Sequence, residues 1–176
     1  TTKDDIDKDR DKKINLVGIT GTRNIIKNSS DTVKIIFPST HVVFEGLDKS
    51  IKNIKESDIP NPVLDYSKGK FQTEKDLTSS DINYVILRLG SVYGKSFDST
   101  RLNIMANLFS KITSLDGKIN LYAGGEQLKS LVSVYDVARC MEFVGENQEI
   151  SREIFNCVSE NLTVKEVANI CKKINK

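Results

Sequence analysis

The chain has 176 residues, enough for one α/β domain with a sizeable core or for part of a larger one. Its 26 Lys and Arg stand against 24 Asp and Glu, a formal charge of +2 spread along the chain, so no basic stripe points to a nucleic-acid partner. Cys140, Cys157 and Cys171 form no CxxC pair and His41 is the only histidine, which speaks against a disulfide framework or a metal site and fits a reducing, cytoplasmic setting; no apolar run approaches the roughly 20 residues that span a membrane.

Thr1 to Lys13 carries charges of both signs and no initiator Met, and reads as the polar beginning of a helix already in progress. The chain is therefore expected to be a piece of something longer. "KKINLVGITGTRNII" (Lys12 to Ile26) runs apolar residues into Gly18, Gly21 and Asn24 at three-residue spacing, close to the glycine signature that opens a dinucleotide-binding unit. A cofactor loop needs a second strand with an acidic residue and further crossover units after it. "VKIIFPS" (Val33 to Ser39), a continuous apolar run of the kind buried in a parallel sheet, begins too soon afterwards to leave that room.

"DIPNPVLD" holds two prolines and marks a loop, "YSKGKFQTEKDL" (Tyr66 to Leu77) is compatible with a helix apart from Gly69, and "NYVILRLG" (Asn83 to Gly90) is a second buried strand. Strand, loop, helix and strand make a crossover unit. "DSTRLN" (residues 98–103) reads as a hinge into a second lobe. "RLNIMANLFSKIT" (Arg101 to Thr113) has helical spacing, "INLYAGGEQLKSLVSV" (Ile119 to Val134) reads as strand, glycine turn and strand, and "YDVARCMEFVGE" follows as an amphipathic helix. "EIFNCV" is a strand, and "TVKEVANICKKI" is a helix capped by Thr163 with Glu166 at capping-box spacing.

Tyr66 and Lys70 stand at i and i+4, which puts both side chains on one helix face, one turn apart. An ammonium near a phenol favours the phenolate and draws a tyrosine down from its ordinary pKa of about 10, turning it into a general acid or base. On its own the pattern equally describes a solvated pair on a helix surface. Its place after a strand ending in "PST" brings a hydroxyl, a phenol and an ammonium to the carboxyl edge of a sheet, where open α/β folds hold ligands.

"IIFPSTHVVFEG", "YSKGKFQTE", "LRLGSVYG", "GGEQLKSLVSVYDVA" and "IFNCVSENLTVKEVA" follow one another in the order of the extended short-chain dehydrogenase/reductases, and the chain resembles the NAD-dependent epimerase/dehydratase family over nearly its whole length. The resemblance implies a partial Rossmann-like fold, a doubly wound parallel sheet with a small C-terminal substrate-binding lobe. Residues 1–97 would be the C-terminal half of the NAD(P)-binding domain with the catalytic residues, and 98–176 mostly the substrate lobe, with a strand and helices returning to the first domain. It also implies roles. Thr40 would be the hydroxyl of a catalytic triad, Tyr66 the phenol, and Lys70 the ammonium that also holds the nicotinamide ribose, with Gly90 beside the cofactor. Ser91, Asn103 and Lys129 would face a nucleotide-sugar substrate; Ser39, Glu74 and Asp136 would be supporting or structural. The cofactor would be NAD, with NADP open, and subunits would pair as a homodimer through the YxxxK helix.

Departures from the family narrow the reading. His41 and Val42 occupy the positions of the acid pair of 4,6-dehydratases, which leaves an epimerase or a 4-keto-sugar reductase, a subgroup whose form "STHVVFEG" also resembles. A lone His at a strand end is more often a hydrogen-bonded structural residue than a catalyst. Lys129 stands for an Arg and loses bidentate phosphate recognition, Ser91 stands for an Asn, and Lys95 for a Pro. "GITGTRNII" matches the family's helix before the catalytic strand, with Gly21 expected to allow close helix packing and Gly18 in place of an Asn. The family's glycine-rich pyrophosphate turn has no counterpart in these residues, so a fragment, a partial chain or half of a split enzyme is expected. A non-catalytic relative and a structural protein with "YSKGK" as a solvated face are the other classes.

Overall fold

The computed structural model describes residues 5–48, 53–96 and 100–174, with the side chains of the first helix described from Lys12 onward. Helix α1 (Asp5–Asn28) leads into β1 (Lys34–Thr40), a single 3-10 turn (His41–Phe44), helix α2 (Asp65–Thr78) and β2 (Asn83–Leu89). β3 (Ser91–Tyr93), α3 (Met105–Ser114), β4 (Leu128–Ser133), α4 (Val134–Glu146), β5 (Glu153–Cys157), β6 (Glu160–Thr163) and α5 (Val164–Ile174) follow. This is an α/β fold of the Rossmann-like kind. The expected hinge at 98–103 falls partly outside the described residues, as do the first four residues of the expected opening helix.

Two compact units emerge, residues 1–88 with 143–156 and residues 89–142 with 157–176. In the first, the strands lie in the order β1-β2-β5, and α2 carries the chain from β1 to its sheet neighbour β2, as the crossover pattern predicts. Leu77, Tyr84 and Ile86 form its buried centre, with Ile26, Ile35, Phe37 and Ile154 packed around them. Burying each large apolar side chain contributes about 1.5–3 kcal/mol, which is why "YVIL" settles as a buried strand; on β1, expected to be buried as well, Lys34 to Phe37 are only half-buried and burial is reached at Ser39 and Thr40. Lys34 closes the end of α4 from β1, its ammonium donating to the carbonyls of Val144 at 3.0 Å and Asn147 at 2.6 Å.

In the second unit β4 is central, parallel to β3 and antiparallel to β6. The core joins Phe109, Leu131, Val167, Ala168 and Cys171. The capping box at α5 forms in both directions: Glu166 N–H donates to Thr163 Oγ1 at 3.1 Å, and Thr163 N–H donates to Glu166 Oε2 at 2.7 Å. At the start of α4 the Asp136 N–H donates to Ser133 Oγ at 3.0 Å and the Ser133 hydroxyl donates to Asp136 Oδ2 at 2.7 Å, which gives Asp136 its structural place.

The expected strand at Ile119 does not form. β4 already has a strand on each side, so the segment cannot pair with it as a hairpin, and Ile119 and Leu121 pack on the core as an irregular segment before the turn Tyr122–Gly125. Helix α3 starts at Met105, later than expected, which leaves Asn103 outside it. Gly21 is no packing point, since a Cβ there would meet open space; the close approach of α1 and α2 lies at Gly69, whose added Cβ would stand 2.5 Å from Asn15 Oδ1.

Candidate active site

β1 ends on Pro38, Ser39 and Thr40, and each of these three residues is tied down differently. Lys70 reaches back from α2 and donates its ammonium to the Pro38 carbonyl at 2.8 Å, lying 4.7 Å above the Phe37 ring. Ser39 donates to Glu74 Oε1 at 2.5 Å. The Thr40 oxygen accepts the Val42 N–H at 3.2 Å and so opens the 3-10 turn, which leaves its hydroxyl hydrogen for a ligand oxygen. Thr40 is buried and Lys70 half-buried, while Tyr66, one turn earlier on α2, is 46% exposed. Lys70 is thus not the solvated end of a surface pair. Burial pulls its pKa below the ordinary ammonium value, and the Glu74 carboxylate pushes back only in part.

Positions 66, 70 and 74 form one face of α2 that runs from solvent to core. Glu74 is 2% exposed and Arg88, on β2, 3% exposed. The guanidinium grips the carboxylate, Nη2 to Oε2 at 2.8 Å and Nε to both oxygens at 3.2 Å. Arg88 also donates Nη1 to the Glu56 carbonyl at 3.0 Å and lies 4.9 Å over the Phe44 ring. Each buried charge therefore has a full set of partners.

Helix α2 starts on Leu64, which has no side chain able to cap it. Glu45 supplies the acceptor instead, taking the N–H of Val63 at 2.8 Å and of Leu64 at 2.6 Å, and the Ser67 hydroxyl at 2.5 Å. Burial works to raise the Glu45 pKa, but the bonds from Leu64, Ser67 and Val63 and the nearby Lys68 outweigh it and the carboxyl is held low. Asn15 of α1 donates its amide to the Asp65 carbonyl and so steadies the same turn. Sequence reasoning missed Glu45, Arg88 and Asn15. An uncapped helix start was the one signal pointing to Glu45; nothing local marks the other two.

The second unit carries the remaining sequence-predicted residues. Gly90 joins β2 to β3; its N–H donates to the Cys157 carbonyl at 3.0 Å, and an added Cβ would stand 3.0 Å from the Ser130 carbonyl oxygen. That close backbone approach is reason enough for a glycine there. The Cys157 thiol is pushed up to about 11 by burial and by the neighbouring Cys140 thiol, so it stays protonated at neutral pH and is no nucleophile. Ser91 pairs with Leu131 in the β3–β4 ladder. Asn103 is exposed, with its side-chain carbonyl taken by Arg101 Nε at 2.8 Å, and Lys129 lies exposed on β4 opposite Leu162. His41, in the first unit, is half-buried at the start of the 3-10 turn.

The RmlD substrate binding domain family matches residues 1–173. A comparison with curated protein sequences returned no match. Among solved structures, UDP-glucose 4-epimerase of Thermotoga maritima with UDP-glucose is 22% identical over 94% of this chain and 55% of that one, with a TM-score of 0.77. The Bordetella bronchiseptica enzyme WbmG, in complex with NAD and UDP, is 18% identical over 99% of this chain and 53% of that one, TM-score 0.78. A double mutant of DesIV, the dTDP-glucose 4,6-dehydratase of Streptomyces venezuelae with NAD and DAU bound, is 18% identical over 90% of this chain and 50% of that one, TM-score 0.73. The chain spans about half the length of these structures, and at such identities they show a common fold. With nearly all of its residues matched, the chain belongs to the RmlD substrate binding domain family.

Proposed function

We propose that this chain carries the catalytic half of an NAD(P)-dependent oxidoreductase acting on a nucleotide-linked sugar, with an epimerase-type reaction. The carrying observation is the Lys70 ammonium seated on the Pro38 carbonyl beside Thr40, with Tyr66 one helical turn away and open to solvent. The donor set fits a nicotinamide nucleotide: an ammonium and a phenol suit ribose hydroxyls, and Lys70 and Tyr66 would hold that group. When bound, nicotinamide supplies the acceptor and donor of the hydride. Tyr66 takes the proton from a sugar hydroxyl as the carbon is oxidised and returns it on reduction. Thr40 donates its free hydrogen to the same oxygen, and Lys70 stabilises the phenolate. Gly90 would lie beside the cofactor, and Ser91, Asn103 and Lys129 would bind the nucleotide sugar.

The second reading, a 4-keto-sugar reductase, is favoured by the form "STHVVFEG", whose Glu45 builds the cap of the helix that bears Tyr66. Stoichiometry separates the two readings: an epimerase interconverts sugars with catalytic cofactor, whereas a reductase consumes one reduced nicotinamide per turnover. Free thiols at Cys140, Cys157 and Cys171 accord with a reducing cytoplasm. No helix among the described residues is long and apolar enough to cross a membrane. A homodimer through α1 and α2 is part of the proposal.

In the intact protein, Tyr66→Phe is expected to lower turnover of a UDP- or dTDP-hexose at least about 100-fold, with nicotinamide binding retained. An intact protein that binds NAD yet converts no nucleotide sugar would end the proposal.

A further inference from the structure

We propose that Glu74 is a positioning residue of this site: with Arg88 and Ser39 it pins the end of β1 to α2 and thereby sets where the Thr40 hydroxyl and the Lys70 ammonium stand. The inference rests on the oxidoreductase reading above, and it departs from a role for Glu74 in supporting its own helix. Both oxygens of the carboxylate are engaged by β-strand residues, Oε1 by Ser39 and Arg88, Oε2 by Arg88. The bonds come from two neighbouring strands, β1 and β2, so one carboxylate fixes α2 against both. Ser39 sits between Pro38, which takes the Lys70 ammonium, and Thr40. A shift of Ser39 therefore moves both the acceptor that seats Lys70 and the hydroxyl of Thr40.

A buried ion pair is weak as a stabilising device, because desolvation offsets most of its attraction and apolar pairs of similar volume do as well. Its directional bonds are what an apolar pair cannot supply. Ser39, 3% exposed, and Arg88 leave Glu74 no route to solvent; its carboxylate still opposes the effect of burial on the ammonium one turn away, though the Arg88 guanidinium offsets part of that attraction.

The test uses Glu74→Gln, Ser39→Ala and Ser39→Thr in the intact protein. Two quantities are read: the titration of Lys70, followed by NMR at its side-chain 13Cε without substrate, and the kinetics of nucleotide-sugar turnover. Glu74→Gln should move the Lys70 titration to lower pH. Ser39→Ala should lower kcat roughly tenfold with KM little changed, and Ser39→Thr, which keeps the hydroxyl, should restore it. A Lys70 titration unmoved in Glu74→Gln, or a kcat unmoved in Ser39→Ala, overturns the inference while the oxidoreductase reading stands. If Glu74→Gln fails to fold, the double variant Glu74→Met/Arg88→Met, which keeps the volume without buried charge, takes its place in the titration. If the wild type turns over no nucleotide sugar, the oxidoreductase reading falls, and the substrate-free titration decides the role of Glu74 alone.

Discussion

Lys70 carries a cost that its position imposes. A half-buried ammonium with a lowered pKa binds its proton less tightly in the folded chain than in the unfolded one, so folding is penalised at neutral pH. The sign follows directly: the penalty is full below the folded pKa and is relieved as pH rises from there toward the ordinary value of about 10.4. Lys70→Met should therefore abolish turnover yet unfold at a higher urea concentration than wild type at pH 7, with the gap narrowing toward pH 10. Equal midpoints at both pH values would show that burial imposes no such cost. Tyr66 and Thr40 stand on the elements the sequence assigns to them, because a helix period and a buried strand are local patterns. Ser39 was undervalued there, since its partner Glu74 lies 35 residues away.

Helix α2 depends on groups outside itself. Glu45 anchors the helix start from outside by accepting the N–H groups of Val63 and Leu64, and Glu45→Ala should cost about 1 kcal/mol at pH 7, less the part that solvent screens at this exposed carboxylate. Because the folded Glu45 pKa is held low, this stability is present above the ordinary carboxyl pKa and is lost as pH falls through the folded one. Urea melts of wild type and variant should therefore converge as pH falls below the ordinary carboxyl range. At Gly69, an added Cβ collides with the Asn15 side chain that holds the Asp65 carbonyl. Gly69→Ala alone should destabilise despite a helix-propensity gain of about 1 kcal/mol. In an Asn15→Ala background the same change should become neutral or favourable, and a double-mutant cycle without coupling would contradict the packing described. The helices themselves were readable from spacing; which glycine admits a neighbour was not, because Gly18, Gly21 and Gly69 look alike until packing shows open space at two of them.

For the whole molecule, α1 leaves Ile14, Leu16, Val17 and Ile25 more than half exposed. So much apolar surface on one helix suits a partner, and the proposed homodimer would bury it. Sedimentation at micromolar concentration should show a dimer, and Leu16→Glu with Val17→Glu should yield a folded monomer. A monomeric wild type would remove the dimer from the proposal.

Sequence alone determined the strands β1, β2, β4 and β5 with their helices, the crossover from β1 to β2, the capping box of α5 and the elements bearing Thr40, Tyr66 and Lys70. All of these rest on contacts within a few residues or on apolar periodicity. Tertiary structure alone decided that Glu45 binds the start of α2, that Asn15 meets Gly69, that the short strands β3 and β6 flank β4 and leave the Ile119 segment no place beside it, and that Glu74 is closed off by Ser39 and Arg88. Each of these pairs residues distant along the chain, and the choice of partner is made by the space left between packed elements rather than by any local preference.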